Sequence, residues 1–130
     1  MRGRKNPKPK PRVVIAEDDL ETRTLYNENL RDHCEITFLT TRAEVADFKR
    51  VTDFKETDIA CLVFDGYFDV GNVKLSGAVY AIKNRGFTGP IVAASSEFND
   101  ELMESGATHR PEQNLKANVP SLVLQILGLN

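Results

Sequence analysis

The sequence predicts a doubly wound α/β domain, a parallel sheet with helices on both faces. Short apolar runs rich in β-branched residues alternate with helix-forming stretches along most of the 130 residues. Such alternation is the pattern of parallel strands joined by crossover helices. Several of the runs have no polar alternate positions, as strands buried on both faces require. They also end abruptly in acids or hydroxyls, at the rim where open α/β sheets carry their sites.

Each element has its own justification. Arg12–Ala16 (RVVIA) reads as a buried strand closed by Glu17, Asp18 and Asp19. Leu20–Asp32 is rich in helix formers, with Leu25, Tyr26 and Leu30 at helical spacing. Cys34–Leu39 alternates, with Ile36 and Phe38 on one face, as a strand with one exposed side would. Thr41 stands three residues before Glu44, the spacing of a capping box, and opens a helix carrying Ala43, Ala46 and Phe48. Ile59–Phe64 (IACLVF) is the most continuously apolar run and ends at Asp65. A glycine-containing loop, Gly66–Lys74, follows. Ser76–Arg85 is helical, with Ala78, Val79 and Ile82 inward and Gly86 as the stop. Pro90–Ala94 is a buried strand running into Ser95 and Ser96. Asn99–Ser105 is a short helix before Gly106, Ala107–His109 a brief fifth strand, and Pro120–Leu127 a last helix with proline in its first turn. Phe38, Phe48, Phe54 and Phe64 are most simply core.

Composition narrows the function classes. Hydrophobic residues make up 41% and charged residues 28%, an ordinary globular balance. No run approaches 18 apolar residues, which argues against a membrane role. Cys34 and Cys61 are too few for a disulfide scaffold and read as buried reduced thiols of a cytoplasmic protein. The formal charge of −2 hides an asymmetry: the first 12 residues hold six bases and no acid. Residues 13–130 hold the other 11 bases against all 19 acids, a net −8. A body so charged argues against nucleic acid. Residues 1–11 read as a disordered, proline- and lysine-rich leader, and residues 12–130 as one domain.

The chemistry gathers at strand ends. Three acids after the first strand, Asp65 after the third and Ser95 after the fourth converge at one rim. Clustered carboxylates repel, so a proton or a cation must join them. Oxygen donors without His or Cys suit Mg2+, which shares its shell with phosphate oxygens. A carboxylate beside such a group can act as a nucleophile and form an acyl phosphate.

In this combination the chain resembles a response-regulator receiver domain, the phospho-accepting half of two-component systems, from about Arg12 to Leu129. VVIAEDD places the family's acidic pair at Glu17 and Asp18. CLVFD places its phosphoacceptor at Asp65, and GPIVAASS places its hydroxyl at Ser95. Gly106-Ala107 matches the pair before the fifth strand. The resemblance implies a flavodoxin-like five-stranded sheet of order 2-1-3-4-5. It also implies Mg2+ on Glu17, Asp18, Asp65 and the backbone carbonyl of Tyr67. Three departures accompany it. The loop DGYFDVGNVKLSG lacks the usual proline and reaches Gly77 twelve residues after Asp65. The family's lysine falls on Gln113 by ungapped counting, or on Lys116 or Arg110 if the loop shifts. The family's switch aromatic falls on Arg110 or His109.

The resemblance implies a stand-alone receiver phosphorylated at Asp65 by a histidine kinase or phosphotransfer protein. It would signal to a downstream output protein, with no enzymatic role beyond slow self-phosphorylation or dephosphorylation. Receivers pair through their last helices, so a homodimer stays open. A degenerate receiver serving as a phosphorylation-independent binding module is the alternative. A Mg2+-dependent phosphohydrolase would place a second acid two residues after its nucleophile, where this chain has Tyr67.

Overall fold

A computed structural model describes residues 9–129. The chain folds in the order β1 (Arg12–Ala16), α1 (Leu20–Leu30), β2 (Glu35–Leu39), α2 (Arg42–Val51) and β3 (Ile59–Phe64). It continues with β4 (Tyr67–Phe68), β5 (Val73–Lys74), α3 (Ser76–Asn84), β6 (Ile91–Ala93), α4 (Asn99–Ser105) and α5 (Val119–Ile126). The main sheet has four parallel strands in the order β2-β1-β3-β6. The fifth position is reduced to one parallel bridge between Val92 and His109. The backbone of His109 still exchanges hydrogen bonds with Ile91 and Ala93, but Pro111 has no N–H to extend the ladder. Thr108 Oγ1 takes the Ile91 N–H at 2.9 Å, a place a longer strand would fill with a carbonyl.

Strand side chains alternate between two cores. Val14, Ala16, Leu62, Phe64, Ile91 and Ala93 face α2, α3 and α4. Val13, Ile15, Cys61, Val63, Val92 and Ala94 face α1 and α5, together with Cys34. Both thiols are free and buried. Burial on both faces explains the unbroken apolar runs of β1 and β3. The edge strand β2 keeps Ile36 and Phe38 only half buried.

The helices follow their caps. Thr41 Oγ1 accepts the Glu44 N–H at 3.1 Å. The Glu44 carboxylate reaches back to the Thr40 N–H and hydroxyl, at 2.6 and 2.9 Å, rather than to the cap residue itself. In α2, Val45 and Phe48 point inward while Ala43 and Ala46 are exposed, against expectation, because the larger apolar side chains take the core face. Phe48 and Phe54 then pack edge to face, as do Phe54 and Phe87. In α1, Tyr26 and Leu30 are buried while Leu25 is outward. The loop after Asp65 contains the two-stranded hairpin β4–β5, where sequence suggested no regular structure. Gly86, at φ +103°, closes α3 as expected.

The expected leader lies mostly outside the described residues. Within them, Lys10 Nζ donates to the Arg31 carbonyl at 3.2 Å, and the Pro11 carbonyl accepts the Glu35 N–H at 2.9 Å. No described helix is long and apolar enough to cross a membrane.

Candidate functional site

The carboxyl ends of β1, β3 and β6 open into one cleft of about 360 Å³. Backbone ladders run one residue past the strands and fix its floor. Glu17 N–H donates to Leu39 O at 3.0 Å, and Asp65 N–H donates to Ala16 O at 2.9 Å. Glu17 and Asp65 are therefore held rigidly side by side, 1% and 5% exposed. Such burial of two carboxylates is unfavourable unless a cation or a proton joins them.

Lys116 supplies the cation. Its Nζ lies 2.8 Å from Glu17 Oε1 and 3.4 Å from Asp65 Oδ1. Burial works against the ammonium, but its bond to Glu17 and the charges of Glu17 and Asp65 outweigh that and raise its pKa. One lysine cannot fully offset two buried acids. Burial, and then the charge of Asp65, push Glu17 up to about 7. Burial also raises Asp65, against Lys116 and the Gly66 N–H bond. Gln113 is an exposed residue at φ +58° and does not line the cleft, whereas Lys116 does. Between Pro111 and α5 the chain folds into short 3₁₀ turns at Glu112–Asn114 and Lys116–Asn118, and Lys116 reaches the acids from there.

The three consecutive acids do three different things. Glu17 lines the floor. Asp18 Oδ2 accepts the Asp69 N–H at 2.9 Å and so ties the hairpin loop to the rim. Asp19 caps α1, accepting from the Thr22 N–H at 3.0 Å and its hydroxyl at 2.7 Å, which lowers its own pKa. One carboxylate oxygen each from Glu17, Asp18 and Asp65 lie within 4.8 Å of one another. An all-oxygen, anionic set at this spacing fits a small hard cation after modest side-chain adjustment.

The hydroxyl rim is equally ordered. Ser95 Oγ accepts the N–H groups of Glu97 at 3.2 Å and Phe98 at 2.9 Å. Its own O–H therefore remains free to donate into the cleft. Tyr67 and Phe98 pack with ring centroids 5.8 Å apart and wall one side. Lys74 lies over the Phe98 ring and pairs with Glu101 at 3.1 Å. Gly66 permits this wall: a Cβ there would stand 2.6 Å from Phe98 Cβ and 2.9 Å from Ser95 Cβ.

Sequence reasoning missed Asn99, Phe98 and Asp69. Asp69 and Phe98 act through backbone and loop geometry, which no residue pattern announces. Asn99 opens α4 and read only as a helix start. It is 2% exposed, and its Oδ1 accepts the Ser95 N–H at 2.8 Å. Arg110, one of the two residues on which the family's aromatic falls by counting, donates to Asp100 and Asn114. His109 Nδ1 meets Thr108 Oγ1 at 2.7 Å and does not line the cleft.

No protein-family model matches the chain, and no curated protein matches it. Solved structures do. The chemotaxis protein CheY4 of Vibrio cholerae is similar at TM-score 0.67 and 18% identity, covering 92% of this chain and 97% of that one. A response regulator receiver protein from Pseudomonas putida aligns at TM-score 0.67 and 13% identity, over 95% of this chain and all of the other. The response regulator DrrB of Thermotoga maritima, an OmpR/PhoB homolog, aligns at TM-score 0.70 and 13% identity. That alignment spans 92% of this chain and 53% of DrrB. With its acidic cluster at the carboxyl edge of a doubly wound parallel sheet, the chain has the fold of response-regulator receiver domains.

Proposed function

We propose that this protein is a working receiver, phosphorylated on Asp65 and read by a partner protein. The observation that carries the reading is the placement of Lys116 between Glu17 and Asp65, with Asp18 beside them. A basic group, an acidic pair and a nucleophile-ready carboxylate are the parts that phosphoryl transfer needs.

Asp65 Oδ1 accepts the Gly66 N–H at 2.8 Å and faces Lys116, which leaves Oδ2 as the attacking oxygen. Oδ2 attacks phosphorus in a phosphohistidine of a kinase or phosphotransfer protein. A P–O bond forms, the P–N bond breaks, and imidazole leaves. Lys116 donates to a phosphoryl oxygen, and the Ser95 O–H donates to another. Glu17, Asp18, Asp65 and the Tyr67 carbonyl would hold Mg2+, which when bound neutralises charge on the transferring group. Raised pKa values at Glu17 and Asp65 fit a site that gains from added positive charge.

Arg110, held by Asp100 and Asn114 where an aromatic is expected, favours a second reading: a phosphorylation-independent binding module. One experiment separates the two. The protein is incubated with Mg2+ and acetyl phosphate and its intact mass measured beside Asp65→Asn. One added phosphoryl group in the wild type, absent from Asp65→Asn, is the expected result. An unmodified wild type that also binds no Mg2+ overturns the receiver reading in favour of the second.

A further inference from the structure

Asn99 joins two loops that flank Asp65. Its Oδ1 accepts the Ser95 N–H at 2.8 Å, and its Nδ2 donates to Asn114 Oδ1 at 2.9 Å. The amide orientation is fixed chemically, because an N–H on one side demands the oxygen there and leaves the nitrogen for Asn114. Asn99 is 2% exposed; its bond with Ser95 is buried and its bond with Asn114 half-buried.

Asn114 is the unusual partner. It and Gln113 both have positive φ, +55° and +58°, two non-glycine residues in succession in the left-handed region. Such backbone persists only where its surroundings hold it. Asn114 Oδ1 supplies the hold: it accepts from Asn99 Nδ2 and from Arg110 Nε and Nη2, at 3.1 and 3.0 Å. Arg110 Nη1 also reaches Asp100 on α4 at 2.7 Å. Two residues beyond Asn114 stands Lys116, whose ammonium bridges Glu17 and Asp65.

We infer that Asn99 is a positioning residue: through Asn114 it locks the left-handed turn that delivers Lys116, and through Ser95 it fixes the hydroxyl rim to the same point. Arg110, in the place of the family's aromatic, fastens that bracket to α4. A shift of Ser95 or Lys116 is then transmitted to the α4 surface by hydrogen bonds rather than by rotation of a ring. The inference rests on the receiver reading for the chemical meaning of Ser95 and Lys116, but its geometry does not depend on phosphorylation.

The test uses the whole 130-residue chain without metal or phosphodonor. Asn114→Gly deletes the accepting oxygen while allowing the same backbone, since glycine adopts positive φ freely. Asn114→Asp keeps the acceptor. NMR reads the Lys116 ammonium signal, which survives only when the group is held from exchange, and the hydrogen exchange of the Ser95 amide. Asn114→Gly is expected to broaden the Lys116 signal away and to speed Ser95 exchange by about tenfold, the worth of one lost hydrogen bond. Asn114→Asp is expected to match the wild type in both. Unchanged signals in Asn114→Gly, or an Asn114→Asp protein that behaves like Asn114→Gly, overturn the inference. Acetyl phosphate labelling of the wild type judges the receiver reading separately. A protein that shows the Asn114 pattern and takes no phosphate keeps the bracket and loses the receiver.

Discussion

Glu17 carries the largest electrostatic penalty of the site, and its consequences are measurable. Its ordinary pKa of 4.5 is raised to about 7 by burial and by Asp65. The folded state therefore holds a proton that the unfolded chain releases between these values. Stability from this group is full below about pH 4.5 and falls as pH rises through 7, and Asp65 shifts in the same direction. The lowered pKa values of Asp19 and Glu44 act the other way, but only at lower pH. Urea unfolding without divalent metal should show the protein less stable at pH 8 than at pH 5.5, on the order of 2 kcal/mol. Glu17→Gln should flatten most of that slope; an equally steep slope in the variant would contradict the assignment. Lys116 belongs to the same balance. Lys116→Met leaves two buried carboxylates facing each other and should cost about 2 kcal/mol at pH 8, reduced from a fully buried pair because the lysine is partly exposed.

Among the elements, the hairpin β4–β5 lies in the loop that lacks the usual proline of the resemblance. Its base sits against the start of α4: Tyr67 and Lys74 pack on Phe98, just before the helix, and Lys74 pairs with Glu101 within it. Gly66 sets how closely that wall approaches Ser95. Gly66→Ala would place a methyl group against two β-carbons of ordered loop residues, neither of which is a flexible chain end. It should destabilise the fold by about 1–3 kcal/mol and reduce phosphoryl labelling, as denaturant unfolding and intact mass would report. Unimpaired stability and labelling would mean the wall yields freely. α2 and the fifth strand show how local signals are overridden. In α2 the larger Val45 and Phe48 take the core face and leave Ala43 and Ala46 exposed. Pro111 and the Thr108 hydroxyl cut the fifth strand to one bridge.

For the molecule as a whole, a cation held at the acidic rim would couple binding to stability. Any ion that binds the folded state alone stabilises it by mass action, about 2.7 kcal/mol at a hundredfold excess over Kd. Mg2+ at that excess should raise the thermal midpoint by roughly 10 °C for a domain of this size. Asp65→Asn and Glu17→Gln should lose most of the rise, while matched NaCl should not reproduce it. A rise of equal size in both variants would place the binding elsewhere. The body charge of −8 thus has a local meaning, since part of it is concentrated at Glu17, Asp18 and Asp65 on one edge of the sheet.

The sequence alone determined the layer architecture and the acids of the rim. Burial on both faces forces unbroken apolar strands, and strand ends in such folds are where polar groups must gather. IACLVF followed by Asp65, and RVVIA followed by Glu17, carry that signal without any knowledge of contacts. Which cation meets them was decided only by the tertiary structure. Ungapped counting points to the neutral Gln113, whereas in space it is Lys116, two residues beyond the left-handed Asn114 that Asn99 and Arg110 bond, whose ammonium meets Glu17 and Asp65. The fates of Asp18 and Asp19 were likewise settled in space, one by a hairpin N–H and the other by a helix terminus. Hydrogen bonds between segments far apart in the chain leave no periodic trace in a sequence. Hydrophobic burial does, because it repeats with the period of the strand or helix that carries it.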